Sequence, residues 1–378
     1  MLPSSVPTDR IEDLVARATR DVDEGRIPSC QLAVGLDGEV VVEETIGDPD
    51  GRRYVVFSVS KAVMAGAMWL LIGDGLLRPE DKVVDHLPEF GTNGKDVITV
   101  EQLLTMEAGI PQAPLGPPEW HDRAARRRRF AEWRLNWDPG LRVEYHPTSA
   151  HWVLGELIEA VTGIDHRRFV TDRICAPLGL EHLRLGVPAE EQGDIVDVEL
   201  VGTPPTAEEL EAVTGISGID LSEMDLGEIT DDTLLRFNDV ETRELGQPAG
   251  GVISTAGDMA RYLQALLHDP AGLWDPEVLA DGTGRVRTTK VDVMIGVPAN
   301  RSLGLNIAGD DGHALRRGMG KTTSPQAFGH HGVGGQIAWA DPASGLSFCY
   351  LTNGLEANPI EDGRRRASLS NRAGALLD

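Results

Sequence analysis

The chain has 378 residues, 41% of them apolar and 25% charged, and its 35 basic against 60 acidic residues give a formal charge of −25. That length allows one large domain or two to three smaller ones, and the composition is that of an ordinary globular protein. The acidic balance argues against nucleic acid or an anionic membrane surface as partner and carries no information on the reaction.

Thr8 and Asp9 can cap a first helix with Ile11, Leu14, Val15 and Ala18 at helical spacing, ending at Arg26-Ile27-Pro28. Gln31 to Gly35 and Glu39 to Glu43 flank Asp37-Gly38 and predict a β-hairpin. Tyr54 to Phe57 is a short extended piece, followed by a small-and-apolar run that reads as a buried helix stopping at Gly73-Asp74-Gly75. The longest apolar run, Ala62 to Ile72, is too short to span a bilayer. No basic, apolar leader opens the chain, and the three scattered cysteines, Cys30, Cys175 and Cys349, read as buried free thiols. A cytoplasmic location is expected.

From Leu76 to about Gly246 helices and long loops take over. Arg126 to Arg129 closes a basic run expected to be a solvated helix face, and Thr148-Ser149 can cap a helix carrying Val153, Leu154, Leu157, Ile158 and Val161. Glu190 to Asp239 is acidic and turn-rich, and is expected to be a surface excursion. Ser254-Thr255 caps an amphipathic helix from Met259 to Leu267. Ser302 to Ile307, Gln336 to Ala340 and Leu346 to Thr352 predict strands, the last two joined by a turn at Asp341 to Gly345, and Ala367 to Asp378 a closing helix.

Phe57-Ser58-Val59-Ser60-Lys61 carries the chemistry. Ser58 and Lys61 are three apart, so in a helical turn they share a face, whereas Ser60 points away. A buried ammonium is costly, so such a lysine tends to become a free amine that can take the proton of a weakly nucleophilic serine. Ser-x-x-Lys recurs by chance, and an N-cap serine beside a snorkelling lysine is the plain alternative. A second proton handler is available in Tyr145, just before a helix N-terminus, where a nearby cation and the helix dipole are expected to lower the phenol's pKa. Gly329-His330-His331-Gly332-Val333-Gly334-Gly335 lets backbone N–H groups approach a substrate, with His330 or His331 adding a polar, sometimes charged, contact.

Ser58-Val59-Ser60-Lys61, Tyr145 and His330-His331-Gly332, in that order, resemble the serine β-lactamase and penicillin-recognising superfamily. The flanks agree, among them Asp81 to Phe90, Thr99 to Thr105, Gly109-Ile110-Pro111 and Gly251 to Ala260. The similarity covers almost the whole chain and is nearest to class C β-lactamases and family VIII carboxylesterases. It implies an acyl-enzyme on Ser58, deprotonation by Lys61, proton relay by Tyr145, oxyanion donors at the backbone of Ser58 and Val333, and a substrate channel lined by His330, His331 and Gly332. Pro147 stands where relatives often carry an asparagine whose amide holds an acylamino side chain, which favours esters over β-lactams or peptides. Glu107 replaces a hydroxyl residue common at its position, with no role readable from sequence.

The fold expected is α+β, an α/β sandwich with a mostly antiparallel sheet formed by residues 1–75 and 247–378, and a helical lobe inserted at 76–246. The expected activity is that of a carboxylesterase on small-molecule esters. Alternatives are a β-lactamase or D-amino-acid amidase or peptidase, an acyltransferase, and a non-catalytic ligand-binding protein. No cofactor or metal is called for. Gly320-Lys321-Thr322 lacks the first glycine of a phosphate loop, whose place is taken by Leu315, and neither Gly-x-Ser-x-Gly nor His-Glu-x-x-His occurs.

Overall fold

A computed structural model describes residues 6–47, 52–116, 119–214 and 229–378. Its centre is a six-stranded antiparallel sheet in the order Glu39–Ile46, Cys30–Leu36, Leu346–Thr352, Ile337–Asp341, Phe328–His331, Asn306–Ile307. The two ends of the chain therefore meet in the middle of the sheet, where Cys30 pairs with Thr352 and Leu36 with Leu346. The first hairpin turns through Asp37 and Gly38, both at positive φ, the geometry a two-residue turn needs to match strand twist.

Both faces of the sheet are covered, and the strand period of two sorts the side chains. Leu32, Val34, Phe348 and Tyr350 pack on one side with Leu14, Ala18, Leu369 and Ala373 from helices Thr8–Asp23 and Pro359–Gly374. Ala33, Cys349 and Leu351 face the other side, against Met259 and Leu263 of helix Ala256–His268. That helix sits close because the sheet offers small residues there: a Cβ on Gly35 would lie 2.6 Å from Gln264 Cγ.

Helix Ser60–Gly73 runs through this second core with Ser60 to Leu71 all buried. Trp69 is wholly enclosed and donates its indole N–H to Leu303 O at 2.8 Å. Ser60 accepts from the backbone N–H of Val252 at 3.0 Å, so it turns away from Ser58 as expected. Helix Ser149–Thr162 packs behind, closed by Gly163 in the left-handed region.

Several expectations need amendment. The closing helix begins at Pro359, not near Ala367, with the Asn358 side chain accepting from the N–H groups of Ile360 and Glu361; proline in the first turn after a capping asparagine was the overlooked signal. Ser302 to Ile307 yields only a two-residue strand, Asn306–Ile307. The Thr8–Asp23 and Ser149–Thr162 helices form without a side-chain cap, whereas Thr255 caps its helix as read. Helix Arg123–Glu132 is not simply solvated: Arg126 is buried, 2.7 Å from Glu156, while Arg123, Arg127 and Arg129 pair with Glu156, Glu89 and Glu119. The acidic stretch is more than an excursion. Glu199–Val201 pairs with Gly354–Glu356, and Leu234 and Phe237 turn inward; part of the stretch, 215–228, lies outside the described residues. All three cysteines are buried and free. Among the described residues no helix is long and apolar enough to cross a membrane.

Candidate active site

Strand Tyr54–Val55, hydrogen-bonded to Val252–Ser254, delivers the chain to a single 3-10 turn, Phe57–Val59, from which helix Ser60–Gly73 departs. Phe57 holds φ of 45°, a conformation that a bulky residue adopts at a cost of about 1–3 kcal/mol and only when its surroundings enforce it. Its ring is clamped edge-on by Phe237 at 5.3 Å. The effect is a sharp corner that presents Ser58 to a cavity of about 370 Å³.

Lys61 is fully buried one helical turn on, with its Nζ 3.2 Å from Ser58 Oγ, 2.9 Å from Pro147 O and 3.0 Å from Ala249 O. Burial, helped by the positive charge of Arg301, pushes its pKa well below the usual lysine value. Tyr145 donates its phenolic O–H to Ser58 Oγ at 2.8 Å, and its ring lies 5.0 Å from the lysine nitrogen. Ser58, Lys61 and Tyr145 thus converge although 84 residues separate the last two in sequence. The expected lowering of the phenol's pKa is overturned: burial pushes Tyr145 up to about 12, against weaker opposing effects of Ser58 and Arg301. The physical reason is that the phenol is itself desolvated, which disfavours its charged form more than the nearby hydroxyl and cation favour it.

The loop carrying Tyr145 is pinned by His146. Its Nδ1–H donates to Glu144 O at 2.7 Å and its Nε2 accepts from Ile110 N–H at 3.0 Å, which fixes the neutral tautomer; burial pushes its pKa down to about 3. Pro147, read in sequence as a lost amide, contributes through its carbonyl by holding Lys61.

Opposite Ser58, the strand Phe328–His331 continues into Gly332, whose N–H donates to Gln336 O at 3.0 Å. A Cβ on Gly332 would stand 2.9 Å from Val56 O, so only glycine allows this approach to the serine corner. His330, His331, Gly332 and Val333 all line the cavity, and Val333 is 39% exposed. His330 donates Nδ1–H to His331 O at 2.6 Å, leaving Nε2 as a buried acceptor without a partner among the described residues. Burial and the charge of Arg301 hold His330 far below the ordinary histidine pKa, and burial brings His331 down to about 3. Both are neutral contacts, not the sometimes charged ones expected.

Sequence reading passed over Arg301 and Asp292, both buried in the cavity wall, and the apolar flank formed by Ile229, Leu234 and Phe237. No local pattern marks them, because an arginine ahead of a two-residue strand resembles any surface arginine. Glu107 now has a place: it accepts from Thr105 Oγ1 at 3.0 Å and forms an ion pair with Lys290, tying the 105–111 segment to the arm that carries Asp292 and Arg301. Glu159, Asp165 and His166 also gather, within 4.8 Å of one another. They are engaged already, His166 Nδ1 with Glu159 at 2.7 Å and Asp165 with Arg167 at 2.7 Å.

A sequence profile of the Beta-lactamase family matches residues 11–371. The chain is 27% identical over 349 residues to the esterase/beta-lactamase LipL of Mycobacterium tuberculosis, covering 86% of this chain and 76% of that protein. Its fold superposes on a penicillin-binding protein homolog from Caulobacter crescentus with a TM-score of 0.78 at 25% identity, over 99% of both chains. A family VIII carboxylesterase gives 0.77 at 22% identity, over 96% of this chain and 97% of the other. With a profile match running nearly from end to end over an α+β fold shared with these proteins, the chain belongs to the beta-lactamase family of serine hydrolases.

Proposed function

We propose that the chain hydrolyses small carboxylic esters through an acyl-enzyme on Ser58. The observation that carries this is the placement of one hydroxyl between a buried amine at 3.2 Å and a phenol at 2.8 Å, on the wall of a cavity. A neutral amine has two N–H bonds and one lone pair. The carbonyls of Pro147 and Ala249 take the two N–H bonds, which leaves the lone pair for the proton of Ser58. As Oγ bonds to the ester carbon, that proton passes to Lys61, and the resulting ammonium gains the same two carbonyls as stabilising acceptors. The backbone N–H groups of Ser58 and Val333 are the proposed donors to the carbonyl oxygen as it becomes an oxyanion. Collapse of the tetrahedral species breaks the C–O bond to the alcohol. Tyr145, kept protonated by its high pKa, supplies the leaving oxygen's proton and recovers one from Lys61. Water then attacks the acyl-enzyme by the reverse sequence and releases the acid.

Ester cleavage is preferred to β-lactam or amide cleavage because Pro147 offers no amide to an acylamino group, and the flank at Ile229, Leu234 and Phe237 is apolar. The name of LipL, which joins esterase to beta-lactamase, supports testing both. On this reading residues 76–246 form a lobe inserted between the two parts of the sandwich, with the cavity at their junction. The test is intact-mass detection after mixing with a p-nitrophenyl ester, nitrocefin and a D-alanyl amide. A single acyl adduct from the ester, absent in Ser58→Ala, is expected; nitrocefin turnover outrunning ester turnover would reassign the activity to β-lactams.

A further inference from the structure

Exposed apolar side chains gather at one place on the rim of the cavity. Val291–Asp292 pairs with Val297–Pro298 in a hairpin whose turn carries Met294 and Ile295. Successive residues of an extended chain point to opposite sides. Asp292 is buried in the cavity wall, and Val291 and Val293 on either side of it turn out, 53% and 52% exposed. Alongside runs the segment of Leu141, which is 66% exposed. There Val143 bridges to Asp292 and accepts from Val293 N–H at 3.3 Å, and Gly140 O accepts from Lys290. Met294 is exposed as well and also lines the cavity. A lone exposed valine needs no explanation, but four large apolar side chains on adjoining segments mark a contact surface. The charge there is equally out of keeping with a chain of net charge −25. From Gly282 to Gly309 the one carboxylate is that of Asp292, and it is buried. The bordering charges are near balance: Arg142 pairs with Glu144 at 3.6 Å and Lys290 with Glu107, while Arg316 and Asp138 are both exposed.

An uncharged apolar prominence on an acidic protein is matched by an uncharged apolar phase. An anionic surface repels the chain, and a cationic one is drawn to the carboxylates elsewhere on it. The prominence is continuous with the cavity that holds Ser58, because one hairpin supplies both the outer valines and the lining residues Met294 and Ile295. We propose that this hairpin docks the protein on the surface of an aggregated, uncharged ester, a droplet or micelle, and that the ester passes from that phase to Ser58 across Met294. The aliphatic stems of Arg142 and Lys290 extend the apolar rim while their charged heads stay in water. That the aggregate is an ester rests on the proposed hydrolysis; the docking itself does not.

The probes are tributyrin, which forms droplets above its solubility limit, and droplets of triolein. Once tributyrin droplets form, the wild-type rate is expected to rise roughly tenfold or more above the curve extrapolated from dissolved tributyrin, the scale of burying two half-exposed valines. The double variant Val291→Asp, Val293→Asp, at exposed positions outside the cavity lining, is expected to keep the kinetics on dissolved tributyrin and lose that step. Flotation with triolein droplets separates docking from chemistry: Ser58→Ala is expected to float like wild type, and the double variant roughly tenfold less. Flotation without turnover of tributyrin, dissolved or dispersed, would sink the ester-hydrolase reading and leave the docking standing. A single hyperbola through the solubility limit, with no flotation of wild type, would overturn the docking even if the double variant does not fold. Capture by phosphatidylglycerol vesicles in preference to triolein would overturn it in favour of an anionic surface. A wild-type dimer in sedimentation that Val291→Asp dissociates, with no flotation, would hand the patch to a second copy of this chain.

Discussion

Among the described residues two lysines, Lys61 and Lys95, are fully buried, and they differ in the company they keep. Lys95 donates to Thr92 O at 2.7 Å, Thr92 Oγ1 at 3.2 Å and Trp133 O at 2.6 Å, so every proton of an ammonium has an oxygen. Lys61 has only two carbonyls, and its third neighbour is a hydroxyl with a proton of its own to give. Each nitrogen lies beside an aromatic ring, Phe90 for Lys95 at 5.5 Å and Tyr145 for Lys61 at 5.0 Å. Burial lowers both pKa values, to about 8 for Lys95 and well below the usual range for Lys61. Desolvation alone therefore does not make a base. What separates a structural cation from a reactive amine is the count of acceptors and whether the last one can itself donate.

The sharpest way to break this comparison is at the shared partner. Ser58→Ala is expected to lower ester turnover by about 10⁴-fold or more, with no acyl adduct by mass. Lys61→Met should lower kcat by about 10²–10⁴-fold and, because it strands the carbonyls of Pro147 and Ala249, also cost about 1–3 kcal/mol in a denaturant titration. Lys95→Met should differ in its effect on turnover. It strands the carbonyls of Thr92 and Trp133, costs about 1–3 kcal/mol in a denaturant titration, and leaves turnover per folded molecule unchanged. A Lys95→Met protein as stable as wild type would show that the acceptor count does not govern.

The pH profile sharpens the contrast. The proposed mechanism requires Lys61 unprotonated, so the rate should fall as pH drops through its lowered pKa. Tyr145, pushed up to about 12, should add no basic limb in the ordinary range. Arg301→Gln removes a like charge, lets the pKa of Lys61 rise, and moves the acid limb to higher pH. The smallest effect is expected at Lys290→Met, which leaves the buried Glu107 without its cation. Loss of about 1 kcal/mol and a modest rise in KM would follow, read by thermal melting and steady-state kinetics.

Ser58, Lys61, Tyr145 and His330 were legible because each sits in a short, distinctive string: Ser58 and Lys61 one turn apart, Tyr145 ahead of a helix, His330 among glycines. The sheet was legible for a similar reason, since the alternation of Leu32, Ala33 and Val34 and of Phe348, Cys349 and Tyr350 is local. Arg301 was not, because its burial in the cavity wall is a property of what surrounds it in space. The direction of the Tyr145 shift also escaped, because it is set by the burial of the phenol itself, which no local string shows. Leu234 and Phe237 were hidden in an acidic stretch whose few inward residues have no period.

The strand order has a consequence for how the molecule comes into being. The hairpin of residues 30–46 finds its strand neighbour only in Leu346–Thr352, so during synthesis the backbone edge of Cys30–Leu36 stays unpaired until nearly the whole polypeptide has emerged from the ribosome. Premature termination anywhere before that point leaves an orphaned hairpin with an open edge, a ready seed for aggregation.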